Sequence, residues 1–202
     1  EIADSLLKPM YSMPRSLSRH NLSPAIYSRF PIIRAERVDT LKNFVWADVV
    51  IKDKNREDTI RIFNTHLHTT AIRRDDSNYI EHYQYLDDDS TGKVRSMINR
   101  LTANNSVRAA QADTLAVMIA ASPYPAIVCG DFNDTPMSYV YGELIKNHSD
   151  AFVKCGSGYG YTFRPMYGML RIDYILYSEG LDVQKYEVDE CVMLSDHLPI
   201  KA

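Results

Sequence analysis

The sequence predicts an α/β fold. Three features of the 202-residue chain carry that expectation. First, Ala126–Cys129 is a short apolar run, entered from Pro123 and Pro125 and ended by Gly130, which reads as a buried strand. Second, the residues before it, from Ser106 onward, repeat apolar side chains at helical spacing and stop ahead of Pro123. Third, two runs rich in β-branched residues lie upstream, within 43–64, and an alternating run lies downstream, over 171–177.

Taken in order, Glu1 to Leu7 has the look of a helical turn or two, broken by Pro9 and Pro14 and followed by polar loop. Ala25–Phe30 ends at Pro31 and reads as a strand. Asn43–Ile51, with the only tryptophan, Trp46, and Thr59–Asn64 read as strands joined by the charged turn Lys52–Asp58, a hairpin. Ile60 and Ile62 face one way. Residues 71–106 are long, polar and irregular. They contain Arg73-Arg74-Asp75-Asp76, the tyrosines Tyr79, Tyr83 and Tyr85, and Asp87-Asp88-Asp89. Such charge runs form a solvated face or a flap over a site. Three adjacent aspartates cannot all turn to one ion, and EF-hand spacing is absent.

In the helix opened by Ser106, Val107, Ala110, Leu115, Met118 and Ile119 share a face, with Arg108, Gln111 and Asp113 mostly elsewhere. A second helix is expected from Met137 to about Asn147. Residues 155–168 are rich in glycine and aromatics but match no P-loop, because no Lys-Ser/Thr closes the run. They read as a surface loop whose Tyr159, Tyr161 and Phe163 meet a substrate. Arg164 and Arg171 are candidate phosphate contacts. Along 171–177, Ile172, Tyr174 and Leu176 take one face and Asp173 and Ile175 the other. Leu181–Val188 is expected as a further strand. No internal repeat or linker interrupts the chain, so 1–202 reads as a single domain.

Net charge is −3, from 23 Lys and Arg against 26 Asp and Glu, and no basic run stands out. That weighs against a duplex nucleic-acid substrate. Cys129 sits in the central strand and reads as core. Cys155 and Cys191 pair only if the fold brings them together, and no cysteine spacing resembles a zinc site. No apolar run is long enough to span a membrane. The chain lacks an initiator Met, which suggests a piece of a longer protein. Oligomeric state is not legible.

The chemistry concentrates after the central strand. Asp131 and Asn133 stand at its C-terminal end, where α/β proteins build sites. The same residues also read as an Asx turn before a helix, since Asp134-Thr135-Pro136 is good cap chemistry. Gly130-Asp131-Phe132-Asn133 resembles the core motif of the endonuclease/exonuclease/phosphatase family. Three further stretches resemble that family's motifs in the same order: Asn64-Thr65-His66-Leu67, Arg171-Ile172-Asp173-Tyr174-Ile175 and Ser195-Asp196-His197-Leu198-Pro199. The resemblance runs from about Pro24 to the end.

The resemblance implies a four-layer α/β sandwich of the DNase I type, two mixed β-sheets face to face with helices outside, its N-terminal portion missing from this chain. It implies a metal-dependent hydrolase of phosphate esters, working with Mg²⁺ or Mn²⁺. His66 would lie beside the scissile phosphate, Asp131 would position or deprotonate water, and Asn133 would bind a phosphate oxygen. Asp173 would hold His197, the general base, in one tautomer, and Asp196 would join Asp131 at the metal. Arg171 and Tyr161 are the candidate substrate contacts. His68 has no role to inherit and reads as surface. The family's early Asn and metal-binding Glu have no identifiable counterparts, and Glu1 is not assigned. A catalytically incomplete or purely binding module on the same fold is the alternative. The expected partner is a phosphorylated small molecule or a lipid head group, ahead of nucleic acid, because of the acidic balance, Asp87–Asp89 and the aromatic loop.

Overall fold

The two β-branched runs pair as a hairpin at the heart of the computed structural model, which describes residues 11–12, 24–38, 43–53, 56–69, 90–165, 170–192 and 194–202. Its strands are β1 (Tyr11–Ser12), β2 (Tyr27–Ser28), β3 (Ile32–Val38), β4 (Phe44–Asp53), β5 (Arg56–His66), β6 (Ala126–Asp131), β7 (His148–Asp150), β8 (Asp173–Ser178), β9 (Glu187–Val188) and β10 (Ile200–Lys201). The helices are α1 (Ser90–Ala120), α2 (Tyr139–Leu144) and α3 (Ala151–Cys155). Six strands make one mixed sheet in the order β3-β4-β5-β6-β8-β7. Only β5 and β6 run parallel in it. β9 and β10 form a small antiparallel ladder, as do β1 and β2.

The sheet is buried on both faces, which is why Phe44–Ile51 of β4 is apolar at every position but Asp48, whose buried carboxylate accepts from Arg61 of β5 at 2.6 Å. On one face Phe44, Trp46, Phe63, Val128, Tyr174 and Leu176 meet Ala112, Leu115 and Ile119 of α1 and Val140 and Leu144 of α2. On the other, Val45, Ala47, Val49 and Ile60 pack with Ile26 and Leu181. Further along that face Ile175 and Tyr177 pack with Val183, Tyr186 and Ile200. Helices therefore cover one side, and the segment that carries β9 and β10 covers the other. This is the expected α/β sandwich, with the second sheet small among the described residues.

Several elements differ from expectation. The hairpin ladder continues to Asp53↔Arg56, so Lys52, Asp53 and 56–58 of the supposed turn belong to the strands. The cross-strand pair Lys52–Glu57, at 2.9 Å, shows why charges tolerate the ladder there. Ala25–Phe30 supplies only the two-residue β2, whereas β3, rich in charge and at the sheet edge, was not expected.

Helix α1 starts at Ser90, well before Ser106, whose hydroxyl donates to the Thr102 carbonyl within the helix rather than capping it. Its inward residues are Arg108, Ala112, Leu115 and Ile119, while Val107 and Ala110 face solvent. The buried face departs from the apolar stripe because a charge, Arg108, fills one of its positions. Helix α2 spans only Tyr139–Leu144, with Ser138 as its N-cap. Of Leu181–Val188 only β9 is strand, and Val183 and Tyr186 are buried by packing without a ladder. All three cysteines are free. The expectations for Glu1–Leu7, Arg73–Asp76, Tyr79, Tyr83, Tyr85 and Asp87–Asp89 lie outside the described residues. No described helix is long and apolar enough to cross a membrane.

Candidate active site

Strand register assembles the site. His66 is the register partner of Asp131 across β5–β6, and Asp131 is the partner of Asp173 across β6–β8. Register partners share a face, so an imidazole and two carboxylates stand in a row. They lie on the face away from α1, at the C-terminal ends of the parallel pair, where such sheets place their sites. Gly130 permits the close approach. Its φ is 134°, and a Cβ built there would fall 1.9 Å from the Thr65 carbonyl oxygen. No other residue fits.

His197 arrives from the C-terminal segment. Leu198 N–H donates to the Thr162 carbonyl at 2.7 Å, and Arg164 N–H to the Asp196 carbonyl at 2.8 Å. The Thr162 hydroxyl accepts from the N–H groups of Ile172 and Asp173, at 3.0 and 3.1 Å. Thr162 thereby ties the histidine segment to the start of β8. His197 Nδ1 lies 2.9 Å from Asp173 Oδ2, and its Nε2 lies 3.9 Å from Asp131 Oδ2. His66 Nε2 approaches the same Asp131 oxygen at 3.5 Å. The Phe163 ring meets the His197 ring edge-on at 5.0 Å.

Asn133 sits in the left-handed region, with φ of 51°. Its N–H donates to Asp131 Oδ1 at 2.7 Å. Its side-chain amide donates to Asp131 Oδ2 at 2.8 Å and to the Leu67 carbonyl at 3.1 Å. The Asx turn and the candidate site are therefore one structure, not alternatives. Burial, then the neighbouring Asp173 carboxylate, push the Asp131 carboxyl up to about 6, against the opposing pull of Asn133 and His197. The hydrogen bond to Asp173 raises His197 above its ordinary value. Burial, then the nearby His197, lower His66. The two shifts run in opposite directions, so His197 is the more basic imidazole of the two.

The sequence profile of the endonuclease/exonuclease/phosphatase family matches residues 7–197. The chain belongs to that family. Among solved structures of similar fold is the endonuclease/exonuclease/phosphatase from Bacteroides vulgatus, at TM-score 0.60 and 20% identity, covering 87% of this chain and 67% of that one. A family protein from Bacteroides thetaiotaomicron aligns at TM-score 0.56 and 18% identity, covering 87% of this chain and 66% of its own. Truncated Caenorhabditis elegans TDP2 aligns at TM-score 0.52 and 18% identity, covering 87% and 67%. The chain thus spans about two thirds of the length of these three structures. At such identities the likeness concerns the fold. No curated protein matches the chain.

Of the residues expected in a family site, the structure brings together His66, Asp131, Asn133, Asp173 and His197. Ligand-capable atoms of Asp131, Asp173 and His197 lie within 4.8 Å of one another. Asp196 stands outside this cluster. It is exposed, and its carboxylate accepts the Ser195 hydroxyl at 3.3 Å.

Arg171 is a correction. It is buried, donates to Asp150 Oδ2 at 2.6 Å, and lies against the rings of Phe152, Tyr174 and Tyr141. A buried Asp150 requires a counter-ion, and Arg171 supplies it, so it is not placed to meet a substrate. Arg164 is half-buried and bonded to the Val192 carbonyl. Tyr161 lies beside the cluster, not in it. Its ring stacks on Tyr159 at 5.3 Å, on the wall of a cleft of about 1020 Å³ that Phe163 also lines. His68 is half-buried, with Nε2 3.2 Å from the Asn104 side chain. Sequence reasoning missed Thr162, whose role depends on contacts with residues remote in the chain. It also missed the use of Gly130, although the Gly-Asp pair was in view.

Proposed function

We propose that this site hydrolyses phosphate esters, as the family's name, which joins nucleases to phosphatases, leads one to expect. The observation that carries the reading is the Asp173–His197 contact at 2.9 Å with Asp131 within 3.9 Å of the other ring nitrogen. Asp173 accepts from Nδ1–H and leaves the Nε2 lone pair facing Asp131, an arrangement that fits a general base. A water between Nε2 and Asp131 would lose its proton to His197 while Asp131 holds it in line. The Asn133 amide donates to Asp131 and to the Leu67 carbonyl, so it orients the carboxylate beside the position expected for the phosphate. His66, partly exposed at the rim, is available to the phosphoryl oxygens.

The donor set fits a hard divalent cation, Mg²⁺ or Mn²⁺. Asp131 and Asp173 face each other as register partners, and their mutual repulsion contributes to the raised Asp131 carboxyl. These two would hold the ion, which when bound neutralises charge on the phosphoryl oxygens. Tyr161 and Tyr159 line the cleft beside the cluster, and Glu187, Asp189 and Glu190 share it with Arg164 and Lys201, so it offers aromatic faces for an organic group and no basic groove for a DNA duplex. The test compares bis-p-nitrophenyl phosphate, its monoester and supercoiled plasmid, each with and without Mg²⁺. Mg²⁺-dependent release of nitrophenol is expected. Salt-sensitive plasmid nicking at nanomolar protein would move the substrate to nucleic acid. No turnover of any ester would leave a binding module.

A further inference from the structure

Helix α1 reaches the site from behind through one buried cation. The Arg108 side chain is 1% exposed. Its Nη1 donates to the His68 carbonyl at 3.1 Å, its Nε to Asp134 Oδ2 at 3.2 Å, and its Nη2 to the Asn105 side chain. One turn along, Gln111 Oε1 accepts the His68 N–H at 2.8 Å. Both backbone polar groups of His68 are therefore held by α1.

That hold passes straight into the site. Leu67 N–H donates to the Asp131 carbonyl at 2.9 Å, and the Leu67 carbonyl accepts from Asn133 at 3.1 Å. The Asp134 carbonyl accepts the Tyr174 hydroxyl at 2.8 Å, which adds β8. One guanidinium thus joins the segments that leave β5 and β6. A buried charge is expensive, and an apolar side chain would fill this helix position without that cost. The planar fork does what an apolar residue cannot: it bonds two loops at once in a fixed geometry.

We propose that Arg108, with Gln111, is a positioning residue that sets the separation of His66 from Asp131 and Asn133. It rests on the hydrolase reading of that site. At 1% exposure Arg108 does not touch a substrate and acts through the two loops. The test uses Arg108→Lys, which keeps the charge and loses the fork, and Gln111→Leu. Amide hydrogen exchange followed by NMR compares Leu67 and His68 with the core amides of Val128 and Leu176. Exchange at Leu67 and His68 is expected to rise at least ~10-fold while the core is unchanged. Turnover of bis-p-nitrophenyl phosphate is expected to show kcat lowered ~10–100-fold with KM within ~3-fold. If Arg108→Lys does not fold, Gln111→Leu carries both measurements. Unchanged exchange at Leu67 and His68, a uniform rise at every amide, or a local rise with kcat intact each overturns the proposal. An unsubstituted protein that hydrolyses no ester sinks the hydrolase reading instead, and exchange alone then decides whether the two residues fix the loops.

Discussion

Asp131 and Asp173 stand opposite each other in a ladder, a placement of like charges that costs stability. Folding raises the Asp131 carboxyl from an ordinary 3.8 to about 6. The folded state therefore favours the protonated form. The penalty is absent below about pH 3.8, grows as pH rises, and is complete above about pH 6. At about 1.4 kcal/mol per pH unit it amounts to about 3 kcal/mol. Asp131→Asn should thus raise Tm at pH 7.5 in chelator and abolish hydrolysis. Equal or lower Tm would make Asp131 structural. For His197 the sign reverses in activity. The base works unprotonated, so rate should fall as pH drops through a value above 6.5, and Asp173→Asn should move that limb to lower pH while reducing the rate. A pH–rate profile with an unmoved limb would remove Asp173 from the mechanism. These residues were legible because each stands in a short motif at a strand end or turn. Arg171 was not legible in this way, because residue type says nothing of burial: it is a counter-ion in the core, whereas Asp196 is exposed beside His197.

Secondary structure positions the site through a few tight junctions. Asp150 ends β7, caps α3 through the Phe152 N–H at 2.8 Å, and accepts from Arg171 and from the Tyr141 hydroxyl at 2.9 Å. Asp150→Ala should leave a buried guanidinium uncompensated and lower stability by about 3–5 kcal/mol, as measured by urea unfolding. A loss under about 1 kcal/mol would mean that the rings around Arg171 suffice to hold it. Of the central strands, β4 and β6 were legible from their apolar runs and β5 from its β-branched residues, with Ile60 and Ile62 on one side. The edge strand β3 was not, since its exposed Ile33, Arg34, Ala35 and Glu36 carry no alternation to detect. The early turns of α1 are polar and were read as loop. Its later face was misassigned by the one residue, Arg108, that breaks the apolar stripe.

At the scale of the whole molecule, charge and metal meet stability. If Mg²⁺ binds the folded protein alone, it must raise Tm, by about 1.4 kcal/mol when its concentration is tenfold above Kd. For a chain of this size that is a shift of about 3–6 °C. Thermal unfolding with added Mg²⁺ should show the shift, and Asp131→Asn and Asp173→Asn should abolish it. A shift retained in both variants would place the ion elsewhere. The sandwich was legible from four motifs in order. The cleft beside Tyr161 was not, because its walls come from segments remote in the chain. The parallel pairing of β5 and β6 has a consequence in time. Parallel neighbours need a long crossover, and here the bond from Asn133 to Leu67 joins residues 66 apart. Such distant closures come late in folding, after local helix. The histidine of one strand and the carboxylate of the next become neighbours only through that distant closure, so a molecule that has formed helix without this parallel pairing has no site.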